Sequence, residues 1–211
     1  EQGVRKIIVT PHFRREMFET SPEIVKKHFL VLRRLAEKIG PDLKVFLGCE
    51  FHANVEMLEY LHADRVYSMA GSRYVLTEFS ASTEEKYIRD RIYELLSSGY
   101  KPIVAHIERY KCMKDIELVE YLVNKGAYMQ VNADSVIGKN GHGVKKYCGK
   151  LLEDELVQFI GSDCHGSKRR VTRIGDAYAY VSKKFGCQAA DEIFIDNPQE
   201  ILDNAKHCLS L

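Results

Sequence analysis

The chain has 211 residues, 45% of them hydrophobic and 29% charged, enough for one buried core and ordinary for a soluble globular domain. Lysine and arginine total 31 against 30 acidic residues, so no global field draws in nucleic acid or an anionic membrane. No apolar run approaches the roughly 20 residues that span a bilayer, no signal sequence opens the chain, and the cysteines lack CxxC spacing. These features describe a cytoplasmic protein whose cysteines are reduced thiols, most of them small buried residues.

In chain order, Glu1-Gln2-Gly3 reads as the tail of a helix closed by glycine, with more chain expected upstream. A β-branched run at 4–10 (VRKIIVT) predicts the first strand. A helix over 21–39 follows from Val25, Phe29, Leu32, Ala36 and Ile39 at three- and four-residue steps, with Ser21 as cap and Pro22 at the first turn. Strands are predicted at 43–49 (LKVFLGC) and 74–79 (YVLTEF), then a helix over 84–97 closed by Gly99. A strand at 103–107 (IVAHI), a helix over 115–124 and a strand at 128–132 (YMQVN) continue the rhythm. The glycine-rich stretch 138–143 (GKNGHG) lacks the phosphate-loop pattern and reads as a loop, with His142 a flexible loop residue. The last strand is expected at 157–161 (VQFIG), followed by helices over 171–185 and 198–208.

Strand-helix alternation predicts parallel strands joined by helical crossovers. No Pro/Gly/Ser-rich linker divides residues 1–211, which form one α/β domain, either a barrel or an open doubly wound sheet. Each apolar run delivers a ligand-type residue at or just past its carboxyl end: His12, Glu50, Glu78, His106, Asn132, then Asp163 and His165. Barrel strands converge at that end, so these residues meet in one mouth. Any one of them alone reads as a paired structural group or a helix cap. Together they favour a mixed imidazole and carboxylate site for zinc, manganese or iron(II), with two or more ions.

Arginines beside such ligands suggest phosphate chemistry, because a guanidinium fork binds phosphoryl oxygens. Arg109 lies three residues past His106 and is the strongest candidate, whereas Arg14, Arg15, Lys168, Arg169 and Arg170 read individually as solvated loop cations. There is no GxSxG elbow and no C-x5-R anion loop, so covalent serine or cysteine catalysis has no support.

The segments TPHFRREMFET (10–20), GCEFH (48–52), LTEFS (76–80), VAHIERY (104–110), QVNADS (130–135), GSDCHG (161–166) and FIDNPQEIL (194–202) resemble the bacterial PHP-type protein-tyrosine phosphatases of capsular and exopolysaccharide synthesis. The likeness runs essentially end to end. It implies a distorted, TIM-like, seven-stranded β/α barrel with two to three divalent ions, manganese first and iron or zinc as alternatives. It implies His12, Glu50, Glu78, His106, Asp163 and His165 as ligands, and Arg109 with Arg170 on the phosphoryl group; Arg14, two residues past His12, is a further phosphate-binding candidate by position. The reaction implied is hydrolysis of phosphotyrosine by metal-bound hydroxide, on the tyrosine-rich tail of a bacterial tyrosine kinase. The family's opening Asp-x-His-x-His motif does not occur here, so its first strand and two ligands are expected to lie outside this chain. Cys164, between two implied ligands, reads as a packing residue turned to the opposite face. A histidinol-phosphate type of phosphatase, and a catalytically idle barrel that binds the kinase, are the competing readings.

Overall fold

The computed structural model describes residues 2–205. All six predicted apolar runs form strands, and the first two are each broken once. The run at 4–10 becomes β1 (Lys6–Val9) and, past Pro11, β2 (His12–Phe13). Proline has no N–H to give a ladder, so the break falls where the sequence places it. The second run becomes β3 (Lys44–Leu47) and, past Gly48 and Cys49, β4 (Glu50–His52). Between these two lines of strand runs α1 (Pro22–Ile39). Then come a short helix α2 (Met57–His62), β5 (Tyr74–Glu78), α3 (Glu85–Ser97), β6 (Lys101–Val104) and α4 (Ile116–Asn124). The chain continues through β7 (Tyr128–Asn132), the short α5 (Ala133–Val136), α6 (His142–Glu153), β8 (Phe159–Gly161) and α7 (Ile174–Phe185). A short α8 (Cys187–Asp191), a π-turn at Glu192–Asp196 and α9 (Asn197–Asp203) complete the described residues. Of the helix expected over 198–208, residues from 206 onward lie outside the described residues, as does Cys208.

β1 pairs with β3, and the remaining strands run β2-β4-β5-β6-β7-β8, every neighbour parallel. Sequential order with parallel pairing is the winding of a curled β/α sheet. An open doubly wound sheet would reverse order at a switch point. β6 begins earlier than expected because Pro102 is tolerated: its pairing with β7 starts at Ile103 opposite Tyr128, just beyond the proline.

The sequence pattern did not show α6, and His142 is its first residue rather than part of a flexible loop. Gly138 and Gly141, both at positive φ, make the turn ahead of it. Gly149 inside the helix interrupts an otherwise readable stripe of Val144, Tyr147, Cys148, Leu151 and Leu152.

Alternation along the strands sorts residues onto two faces. Outward residues such as Phe51, Val75, Val104, Met129, Val131 and Ile160 pack under the helices in the larger apolar cluster. Inward residues Tyr74, Leu76, Ile103 and Phe159 form a smaller cluster, with Met69 and Ile201 in contact beneath the curl. The same inward rows, followed to the carboxyl ends of the strands, become polar.

Candidate metal centre

β2, β4 and β5 lie side by side in register, with His12 opposite Glu50 and His52 opposite Glu78. That pairing gathers His12, Glu50 and Glu78, which place one ligand atom each within 4.8 Å of one another. His12 Nδ1 lies 3.9 Å from Glu50 Oε2 and 3.7 Å from Glu78 Oε2. From the next strand line His106 enters with Nε2 2.8 Å from Glu50 Oε1 and 3.4 Å from Glu78 Oε1. Its backbone, at φ 36 and ψ 53, is left-handed, which ends β6 and turns the ring into the cluster.

Asp163 and His165 come from the loop after β8. His165 Nε2 lies 3.3 Å from His12 Nε2, so the six predicted ligand residues surround one mouth. The loop is not the extended segment expected: Asp163 has φ 46, and His165 N–H donates to Arg170 O at 2.9 Å. Nor is Cys164 a packing residue, since this bend leaves it exposed. Cys187 is exposed too, whereas Cys49 and Cys148 are buried as expected.

The five residues of HIERY each have a place. Ile107 is fully buried in the outer core. Glu108, also buried, accepts from Asn132 N–H at 3.1 Å and from Ser135 Oγ at 2.7 Å, which braces the end of β7. Arg109 Nη2 donates to Asp163 Oδ2, where Asn132 Nδ2 also donates at 3.0 Å. Arg170 donates to the other oxygen of Asp163. Burial would raise the Asp163 pKa, but the two guanidinium groups hold it below the usual carboxylate range. Tyr110, fully buried, donates from Oη to Ala105 O at 2.7 Å and accepts from Phe79 N–H at 3.1 Å.

That network decides which nitrogen of His106 faces the cluster. Tyr110 Oη sits 3.2 Å from His106 Nδ1, and its own proton is committed to Ala105. Nδ1 therefore carries the proton and donates, and Nε2 is turned to Glu50 and Glu78. A ligating histidine needs just this arrangement, with an outer hydrogen bond fixing the ring. Burial would lower the His106 pKa, yet Glu50 and Glu78 raise it to about 9. For Glu78, burial pushes up and His106 and His12 pull further down, leaving the carboxyl below its ordinary value. Among the described residues, the ion-pair partners of Glu50 and Glu78 are imidazoles, not lysines or arginines. Two carboxylates facing neutralisable imidazole nitrogens form a donor set that fits a divalent cation.

Arg14 and Arg109 line a recess of about 290 Å³ that opens over Glu78 and His106, together with His52, Phe79, Ser80, Ala81 and Tyr110. Arg15 turns away to pair with Glu56. Sequence reasoning missed Tyr110 and His52, and it offered Asn132 as a ligand-type residue where the structure has it donating to Asp163. Tyr110 falls four residues after His106 in a motif already singled out, which was the signal available.

A sequentially wound, curled parallel sheet with imidazoles and carboxylates at its carboxyl edge defines a PHP-type metal-dependent phosphatase fold. Residues 1–203 match the family described as capsular polysaccharide synthesis, CpsB/CapC, and the chain belongs to it. The tyrosine-protein phosphatase CpsB of Streptococcus pneumoniae is 35% identical over 207 residues, covering 95% of this chain and 85% of that protein. The tyrosine-protein phosphatase YwqE of Bacillus subtilis is 30% identical over 188 residues, 89% of this chain and 74% of that one. A crystal structure from work on YwqE of Bacillus subtilis and CpsB of Streptococcus pneumoniae, described as unique metal-dependent tyrosine phosphatases, matches with a TM-score of 0.89. It is 29% identical and covers 97% of this chain and 83% of that one.

Proposed function

We propose that this chain hydrolyses protein phosphotyrosine at a metal centre built from His12, Glu50, Glu78, His106, Asp163 and His165. The observation that carries the reading is the meeting of His12, Glu50 and Glu78 within 4.8 Å, under a recess flanked by two arginines. Family membership and the names of the relatives supply the substrate class: a phosphotyrosine-bearing protein of capsule synthesis, such as the tail of a tyrosine kinase. Two or three ions, manganese before iron or zinc, and a cytoplasmic setting complete the proposal, as does a seven-stranded barrel to which the curled sheet contributes. Among the described residues no helix is long and apolar enough to cross a membrane.

Bound there, divalent ions would lower the pKa of water and offset the charge of phosphoryl oxygens. The protein's own groups do the rest. Glu50, Glu78 and Asp163 supply negative charge, and Tyr110 keeps Nε2 of His106 turned toward it. Arg109 commits Nη2 to Asp163, which fixes the guanidinium at the rim of the recess and leaves the rest of its fork for the phosphoryl oxygens. Arg14 faces the same recess from β2's end, and Arg170 steadies Asp163 from the other side. The leaving group is a phenolate, whose ordinary pKa near 10 makes its departure undemanding.

The test is turnover of a phosphotyrosine peptide against histidinol phosphate by the manganese-loaded chain, with metal content measured in parallel. The peptide is expected to be the better substrate. Arg109→Ala is expected to lower turnover by about 10²–10³, the usual cost of losing one preorganised charge-stabilising donor, with metal content intact. Preference for histidinol phosphate, or unchanged turnover in the variant, would overturn the assignment.

A further inference from the structure

The inward rows of the first three strand lines continue past the ligands. Two residues beyond His12, Glu50 and Glu78 stand Arg14, His52 and Ser80, on the same face by the alternation of extended chain. All three line the recess, together with Glu78 and His106. The mouth is therefore layered, with a row of ligands below and a row of Arg14, His52 and Ser80 above.

His52 is the distinctive member of the upper row. Its Nε2 lies 3.2 Å from Ser80 Oγ, and among the described residues this is its side-chain hydrogen bond, in place of one to a carboxylate. The bond pins a flat ring, half-buried, on the wall of the recess between the two strands. At about 290 Å³ the recess is at the small end of ligand sites. Arg14 and Arg109 supply its cations; the His52 ring and the Ala81 methyl are part of its remaining lining.

Resting on the phosphatase reading above, we propose that His52, held by Ser80, is the specificity-determining wall of the site, against which the ring of an aryl phosphate lies. The phosphoryl group then points to the floor between Arg14 and Arg109. An alkyl phosphate reaches the same floor and makes no contact with His52. The recess discriminates by the leaving group's ring, and the metal layer is indifferent to it.

The test uses the full manganese-loaded chain with His52→Ala and His52→Tyr. For phenyl phosphate, His52→Ala should raise KM and lower kcat/KM by about tenfold, the size of one aromatic contact. For β-glycerophosphate it should change kcat/KM less than twofold, with metal content unchanged. His52→Tyr, which restores a flat ring, should recover most of the aryl preference. Calorimetric binding of phenylphosphonate against methylphosphonate reads the same preference without turnover, so failure of the catalytic reading is separable from failure of this one. Equal losses on both substrate classes, altered metal content in His52→Ala, unaltered aryl KM, or wild-type protein that binds the two phosphonates equally would each overturn it.

Discussion

Leu76 and Glu78 stand two residues apart on β5 and face the same interior, yet the fold uses them in opposite ways. Leu76 is buried among Met69, Tyr74, Ile103 and Phe159, and the rings of Tyr74, Tyr128 and Phe159 meet at 5.2 to 6.3 Å. Glu78, one step nearer the carboxyl end, has His12 and His106 for neighbours. The lower half of the curl gains free energy by removing apolar surface from water. The upper half buries carboxylate and imidazole, which costs free energy unless the groups satisfy one another or a cation. A single strand thus carries apolar packing at one end and a proposed metal ligand at the other, and the change of environment takes two residues.

Isosteric Glu78→Gln breaks the comparison most sharply. It removes charge from the metal layer while keeping the shape, so turnover should fall by at least about 10³, given the several kcal/mol of charge stabilisation a catalytic metal supplies. Near neutral pH the metal-free chain should also lose the stability that His106 and His12 give this carboxylate by holding its pKa below the ordinary value. A Glu78→Gln protein with wild-type metal content and turnover would show that the row through His12, Glu50 and Glu78 is not the metal layer. Leu76→Ala is the mirror experiment. Removing a buried leucine side chain should cost about 2–5 kcal/mol of stability, measured by denaturant unfolding, while turnover per folded molecule stays near that of wild type. Loss of turnover without loss of stability there would erase the division between the two halves.

Tyr110→Phe sharpens the boundary from outside the cluster. The hydroxyl bonds to Ala105, Phe79 and His106 at once and touches no carboxylate. Its loss leaves the ring packed but frees His106 Nδ1, so the imidazole can take either tautomer. Outer hydrogen bonds of this kind are worth about 10–100-fold in metal affinity or activity. Metal titration by calorimetry should show a drop of that size, with unfolding changed by no more than about 1–2 kcal/mol. Unchanged affinity would mean that Glu50 and Glu78 orient the ring unaided.

Strand periodicity made the outer and inner faces legible, because β-branched runs such as those at 74–79 and 128–132 alternate between two environments that both exclude water. The residues proposed as ligands were legible for a related reason. A histidine or carboxylate at the end of an apolar run is placed where burial is costly, and residues so placed lower that cost by pairing with one another or with a cation. Three features were not legible. The left-handed backbone of Asp163, whose carboxylate meets Arg109 and Arg170, has no signal in the residues beside it. The layer of Arg14, His52 and Ser80 exists only through the register of β2, β4 and β5, which residue type alone does not set. Helix α6 was hidden by Gly149, a poor helix former placed where the helix passes close to Lys184, whose Nζ would lie 3.3 Å from an added Cβ.

The smallest effect expected lies at the base of the curl, where Tyr74 leaves the apolar cluster. Tyr74 Oη donates to Glu200 Oε1 at 2.7 Å, and Lys101 Nζ donates to the same oxygen at 2.9 Å. Those two bonds, Lys101 first, hold the Glu200 carboxyl below its ordinary value of 4.5. A carboxyl with a depressed folded-state pKa contributes stability above its unfolded pKa and loses it as pH falls through the folded one. Lys101, raised above 10.5 by the hydrogen bond to Glu200, contributes on the other side, fully below that value and no longer once pH rises past its folded pKa. Glu200→Gln should therefore cost stability near neutral pH, by less than about 1 kcal/mol because the pair is half-exposed and screened by salt. The difference from wild type should shrink as pH drops below about 4.5 and vanish once the wild-type carboxyl is protonated. Urea unfolding of both proteins across pH 3 to 7 gives the curve. A difference that stays constant down to the acid limit would mean that Glu200 acts through packing alone. The base of the curl would then be apolar in its energetics right up to its surface.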